Sequence, residues 1–230
     1  MNNARTLLDR IYTDFEFAHA IADDLFPVSI NRDQGIFIAK VIDRHKPKVV
    51  VELGFRYGIS SLWVHSATHR PSSHIIIDPY HHIPNPPKRF TIDTFIRKQK
   101  GVILEDHMTS QEYLAKLLRQ KTKVDMVFVD ASQWFDSVMT DMYFVARILR
   151  LKGIVVIRNI WSKPVRKAVM YYLKNLPFTV VGIAPWQEWV IKHVPVVGEL
   201  LLRVLIRPLD LCVMRLTHVD NRDWDSYIPF

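Results

Sequence analysis

Apolar residues along this chain follow two rhythms. Residues 49–52, 74–80, 102–105, 124–130, 154–157 and 178–184 are short, nearly continuous runs rich in Val, Ile and Phe, which predict buried strands, mostly parallel. Between them the apolar residues recur every three or four positions, at 59–67, 91–100, 110–118, 132–149 and 165–173; this spacing gives helices one apolar face. Strand and helix alternate, so the fold class is α/β with a central sheet. Ahead of the first strand, Leu7, Leu8, Ile11, Phe15 and Ile21 predict one or two helices over 4–25, and Ile36, Phe37, Val41 and Ile42 another over 31–44. These N-terminal helices are a cover for the sheet, either over a ligand or over an otherwise exposed face.

After residue 184 the alternation breaks. Residues 186–208 contain Trp186, Trp189, Val190, Val194, Val197, Leu200, Leu201, Val204 and Leu205, punctuated by Lys192, His193, Arg203 and Arg207, before a last strand over 210–217. This helical insertion has three readings: a lid or homodimer contact, a helix lying in a membrane interface through residues 187–207, or an ordinary core helix. Pro195 and Gly198 break it near the middle. The chain reads as a single domain of 230 residues, with a helical cover over 1–45, a core over 46–185, the insertion, and a last strand and tail over 209–230.

Composition narrows this picture only a little. The formal net charge is +8, but the basic residues are scattered and form no arginine-rich arm, so a nucleic-acid partner is disfavoured. Cys212 is the only cysteine, which rules out a disulfide within the chain and suits a reducing, cytoplasmic setting. No window of eighteen uncharged apolar residues predicts a spanning helix, and the first residues lack the apolar core of a signal peptide.

The chemistry concentrates at strand ends. Glu52, Gly54 and Gly58 form E-x-G-x-x-x-G between the first strand and its helix, a bend where bare backbone and a helix N-terminus meet a ligand. A dinucleotide site would need three glycines at G-x-G-x-x-G, and the third is missing. Asp78 ends the second strand, where a carboxylate can accept both hydrogen bonds of a ribose diol; capping is its alternative role. His81 and His82 follow, more plausibly solvated than catalytic, and Asn85-Pro86-Pro87 reads as a rigid turn. Asp106 and His107 follow the third strand, and capping the helix over 110–118 is one role open to Asp106.

The first-strand motif resembles motif I of class I S-adenosylmethionine-dependent methyltransferases. The passage over 124–160 resembles the family-24 type, related to catechol and caffeoyl-CoA O-methyltransferases, through Asp125, Phe128, Asp130, Asp141, Leu149 and Gly153. The resemblance covers about residues 29–185. It implies a Rossmann-like seven-stranded sheet of order 3-2-1-4-5-7-6, a ligand at the carboxyl ends of the strands, and S-adenosylmethionine as cofactor, lined by Glu52, Gly54, Gly58, Ser60, Asp78 and Asp130, with Asp106 near its adenine. It implies an acceptor faced by Asp130, Gln133, Arg158 and Asn159.

Two departures bear on mechanism. Ala131 and Gln133 stand where the family has Gly and His, and Arg158-Asn159 stands where catechol-type enzymes close a metal site with Asp-Asn. A permanent guanidinium there predicts no catalytic metal. Arg158 either pairs with Asp130 or binds an anionic substrate group. The expected activity is methyl transfer to an oxygen, less favourably a nitrogen, of a small molecule. The alternatives are a non-catalytic or membrane-associated binder of the same cofactor, an RNA methyltransferase, and a nicotinamide dehydrogenase, the last opposed by the glycine spacing.

Overall fold

The computed structural model describes residues 3–13, 29–79, 89–184, 210–223 and 225–229. The expectations for His81, His82, Asn85, Pro86, Pro87 and residues 186–208 lie outside this set. The described helices are α1 (Asn3–Thr13), α2 (Arg32–His45), α3 (Ile59–Ser66), α4 (Arg89–Arg97), α5 (Ser110–Arg119), α6 (Phe135–Ile148) and α7 (Lys163–Asn175). The strands are β1 (Val49–Leu53), β2 (Ser73–Ile77), β3 (Val102–Glu105), β4 (Val124–Val129), β5 (Leu149–Ile157), β6 (Phe178–Ala184) and β7 (Leu211–Leu216). Seven strands are ordered β3-β2-β1-β4-β5-β7-β6 in the sheet, the Rossmann-like order expected. The chain groups into two compact units, Met1–Met108 and Thr109–Phe230.

In the first unit β1, β2 and β3 run parallel, with Glu52 level with Ile76 and Leu53 with Ile77. Val50, Val51, Leu53, Ile76 and Ile77 are almost wholly buried, as continuous apolar runs in a parallel sheet require. Asn31 starts α2 with a capping box, accepting from the Gln34 N–H at 2.9 Å while the Gln34 side chain accepts from the Asn31 N–H at 2.7 Å. Trp63 of α3 lies where a Cβ on Gly35 of α2 would be, and its indole N–H donates to the Tyr12 hydroxyl of α1 at 3.1 Å. Those contacts tie the first two helices to α3.

In the second unit β4 and β5 are parallel, and β7 pairs antiparallel with both β5 and β6. One expectation needs correction. The apolar spacing carried the helix through Leu149 and began the strand only at Ile154, but α6 ends at Ile148 and β5 begins at Leu149. The reason is local: Lys152 takes a left-handed φ of 65°, and the β4–β5 register shifts between Val124 and Met126, so the chain turns into the sheet early through an irregular first segment. A Cβ on Gly153 would stand 2.8 Å from the Arg150 carbonyl and 3.0 Å from that of Asp125.

Candidate active site

The first unit carries the glycine bend. Gly54 and Gly58 have φ of 94° and 73°, conformations that favour glycine, and α3 starts after Gly58 with no side-chain cap on its first turn. Such a turn offers backbone N–H groups and the positive end of the helix dipole to an anionic group such as an amino-acid carboxylate. Asp78 leaves β2 beside this bend. Its Oδ2 accepts from the N–H groups of Phe55 at 2.9 Å and Arg56 at 2.7 Å, so the acid expected to meet a ribose also pins the bend in place. A carboxylate has about four acceptor positions, so holding two amides does not exhaust it.

Glu52 sits differently from the sequence expectation that it lines a ligand. It is fully buried; the Ser60 hydroxyl donates to Oε1, the Ser61 hydroxyl donates to Oε2 at 2.7 Å, and Nε2 of His74 lies 2.9 Å from Oε2. His74 Nδ1 in turn lies 3.2 Å from Nε2 of His65. Burial, then the charge of His74, pushes the His65 pKa down to about 3, so His65 is neutral. Glu52 and Ser60 therefore fasten the first turn of α3 onto β1 and β2 from beneath. No sequence motif pointed to these histidines, yet a polar residue inside the apolar run His74–Ile77 was the available signal.

Asp106, just after β3, is held by Arg97 of α4, whose Nη2 is 3.0 Å from Oδ2, while Nε2 of His107 is 3.2 Å from Oδ1. Arg97 also pairs with Asp93 at 2.9 Å.

The second unit carries a charged cluster where β4 and β5 end. Asp130 follows β4, and Arg158 and Asn159 follow β5. Nη1 of Arg158 lies 3.1 Å from Oδ2 of Asp130, and the Asn159 amide donates to Oδ1 of Asp130 at 3.4 Å. Of the two roles foreseen for Arg158, the structure contains the pairing with Asp130. A further member was missed by the sequence reading: Asp210, immediately before β7, lies 3.5 Å from Nε of Arg158 through Oδ2 and accepts the Asn159 backbone N–H at 3.1 Å through Oδ1. Asn159 has φ of 61°, a left-handed turn that asparagine tolerates better than most residues.

Gln133 is exposed in the loop between β4 and α6, next to Trp134, which is 74% exposed. Trp161, beyond Asn159, is exposed as well. Behind this loop Asp141 of α6 is buried and accepts from the Ser110 hydroxyl at 2.8 Å and the Gln111 amide at 2.7 Å. Burial raises its pKa to about 6 against those two hydrogen bonds.

A divalent cation of the catechol-type site does not fit these residues. The carboxylates of Asp130 and Asp210, the hard donors it would need, have a guanidinium between them. Among the described residues no group of three or more His, Cys, Asp or Glu is arranged to hold a metal.

The family model described as a methyltransferase domain, of the family-24 type, matches residues 51–160. No curated protein sequence matches the chain. Among solved structures the chain resembles a Klebsiella pneumoniae protein assigned as an O-methyltransferase, with a TM-score of 0.64 at 14% identity, over 92% of this chain and 90% of that one. It resembles a Bacillus cereus O-methyltransferase in complex with S-adenosylhomocysteine, with a TM-score of 0.60 at 11% identity, over 93% and 91%. It also resembles the O-methyltransferase TomG from Streptomyces achromogenes, involved in tomaymycin synthesis and in complex with S-adenosylmethionine, with a TM-score of 0.60 at 13% identity, over 95% and 91%.

Proposed function

We propose that the chain, whose residues 51–160 match a methyltransferase-domain model, is an S-adenosylmethionine-dependent O-methyltransferase acting on a small molecule without a catalytic metal. The observation that carries this reading is the left-handed Gly54–Gly58 bend, fastened by Asp78 through the amides of Phe55 and Arg56. It leaves bare backbone and an uncapped helix start at the end of a buried parallel strand.

The cofactor, when bound, supplies a methyl group on a cationic sulfur. The chain's own residues bind and orient. In this reading the Gly54–Gly58 bend receives the amino-acid end, Asp78 adds the ribose hydroxyls to the amides it already holds, and Asp106 lies near the adenine. On the acceptor side Asp130 would take the proton of the attacking hydroxyl as the methyl carbon leaves sulfur for that oxygen, the sulfur keeping the bonding pair as a neutral thioether; proximity makes this base role sufficient for the reaction. Arg158 and Asn159 hold Asp130 as a carboxylate, and Gln133 contributes a neutral hydrogen-bonding group from the loop beside it.

Two experiments test the reading. Calorimetry should show S-adenosylhomocysteine binding and NAD failing to bind; the reverse result removes the assignment. Transfer of labelled methyl from S-adenosylmethionine to a panel of hydroxyl compounds should proceed unchanged in EDTA, whereas loss of turnover on chelation overturns the metal-free mechanism. Among the described residues no helix is long and apolar enough to cross a membrane. A cytoplasmic location, with residues 187–207 as a homodimer or peripheral membrane contact, belongs to the same proposal; flotation with anionic liposomes that disappears on deleting that segment would support the membrane contact.

A further inference from the structure

We propose that the second unit carries a second ligand site, a cleft at the amino ends of its parallel strands that takes a small organic anion with an aliphatic body, a medium-chain carboxylate. The site is separate from Asp130, Arg158 and Asn159 and does not rest on the methyltransferase reading. Lys123 immediately precedes β4, Leu149 and Leu151 open β5, and Leu216 ends the antiparallel β7. β4 has six residues, and at about 3.3 Å of rise for each its two ends lie about 20 Å apart.

The shape and the charge of the cleft carry the argument. Its volume is about 690 Å³, within the range of small-molecule sites. Leu149, Leu151, Leu176 and Leu216 give part of its wall an aliphatic lining, and Lys123, Arg147, Arg150, His218 and Asp220 make the polar part. Leu151 is 53% exposed, so an aliphatic body laid against it removes apolar surface from water. The charges are unequally matched. Arg150 pairs with Asp125 at 2.6 Å. Asp220 accepts from Nε and Nη2 of Arg222 at 2.8 Å each; the charge of Arg147 also reaches it, but Arg222 already occupies both its oxygens. Among the described residues, Lys123 and Arg147 bond only to neutral groups. Lys123 donates to the Arg147 carbonyl at 2.7 Å, and Arg147 donates through Nη1 to the Tyr143 carbonyl at 2.8 Å, its guanidinium 3.6 Å from the centre of the Tyr143 ring. An ammonium has three donors and a guanidinium five. One carbonyl apiece therefore leaves both cations able to grip carboxylate oxygens through charge-assisted hydrogen bonds, while the leucines take the aliphatic body.

Calorimetry of the full chain with hexanoate, octanoate and octanol tests the site. Octanoate should bind at least about tenfold more tightly than octanol, and each methylene between hexanoate and octanoate should tighten binding about two- to fourfold. Saturation with S-adenosylhomocysteine should leave octanoate affinity unchanged. Lys123→Gln removes a cation and Leu151→Glu sets a carboxylate in the aliphatic wall, both at exposed positions; each should weaken octanoate at least about tenfold. Octanol binding as tightly as octanoate, octanoate displaced by S-adenosylhomocysteine, or an affinity unchanged in either variant overturns the proposal. If one variant fails to fold, the other decides together with the octanol comparison. Retention on phosphatidylglycerol vesicles that Lys123→Gln abolishes, with no binding of octanoate, overturns the proposal in favour of a membrane surface. Failure of S-adenosylhomocysteine to bind at all would defeat the cofactor reading and leave this site to be judged on octanoate alone.

Discussion

A buried charge is tolerable only with partners, and three side chains here show how differently that condition is met. Arg158 has carboxylates on two sides, so removing it takes a shared cation away from both. Arg158→Met should lower stability by about 3–5 kcal/mol, measured by urea unfolding, and adding Asp210→Asn to it should recover part of the loss. If Arg158→Met proves neutral, the cluster is not an ion-paired unit.

Asp141 meets the condition below about pH 6 by holding its proton. Its folded pKa of about 6 lies above the ordinary carboxyl value of 3.8, so between those values the native state binds more protons than the unfolded chain. Its contribution is fully present below the unfolded value and is lost as pH rises through about 6, a change of order 3 kcal/mol. The stability of Asp141→Asn relative to the wild type should therefore rise by roughly this amount from pH 4 to pH 7, read from denaturation midpoints across that range. A difference that stays flat with pH would contradict the assignment. His65, pushed down to about 3 by burial and by His74, acts in the opposite sense. As pH falls from 6.5 toward 3 the unfolded chain takes up a proton that His65 refuses, and stability drops. Comparing Asp141→Asn with the wild type cancels that shared contribution.

At the scale of elements, the glycine bend shows why E-x-G-x-x-x-G could be recognised in the sequence. Gly58 sits at φ 73°, and a Cβ there would stand 2.6 Å from the Phe55 ring and 2.8 Å from Ile92. Gly58→Ala should thus cost about 1–3 kcal/mol through strain and overpacking and weaken S-adenosylhomocysteine binding; thermal unfolding and calorimetry would show both. Gly35→Ala should match it in stability, because the Trp63 indole fills the place of the added methyl, while leaving cofactor affinity close to wild type once folded.

Strand positions were legible because continuous Val and Ile runs have few alternatives inside a parallel sheet. Side-chain roles were harder. Glu52 was expected beside a ligand because it ends a strand before a glycine bend. With β1 and β2 in register, Val50 pairs with His74, which puts Glu52 and His74 on one face two residues apart, and the acid turns to the histidine and two serines. Asp210 was invisible for a related reason. The pairing of Ile157 with Cys212, carried two steps past the strand ends, sets Asn159 against Asp210, and no local pattern announces an antiparallel register spanning about fifty residues. The early start of β5 was missed because Arg150 and Lys152 interrupt its apolar run, so the continuous stretch begins only at Ile154.

For the whole molecule, the sheet has the expected Rossmann-like order and residues 51–160 match a methyltransferase-domain model, while low identity to solved structures leaves the acceptor to this chain's own residues. Those residues differ from the catechol-type pattern in one place above others, where Arg158 replaces an acid. There a guanidinium lies between the Asp130 and Asp210 carboxylates. A ligand that binds only the folded chain should also stabilise it: S-adenosylhomocysteine at a hundredfold its dissociation constant should add about 2.7 kcal/mol, seen as a raised unfolding midpoint, while NAD should add nothing.

The account turns on where the cofactor lies, and a crystal structure with S-adenosylhomocysteine bound shows this most directly. The ligand's amino-acid end should rest against the Gly54–Gly58 bend, with its ribose hydroxyls on Asp78. A nucleoside bound away from that bend, or a ribose held by residues other than Asp78, would contradict the account.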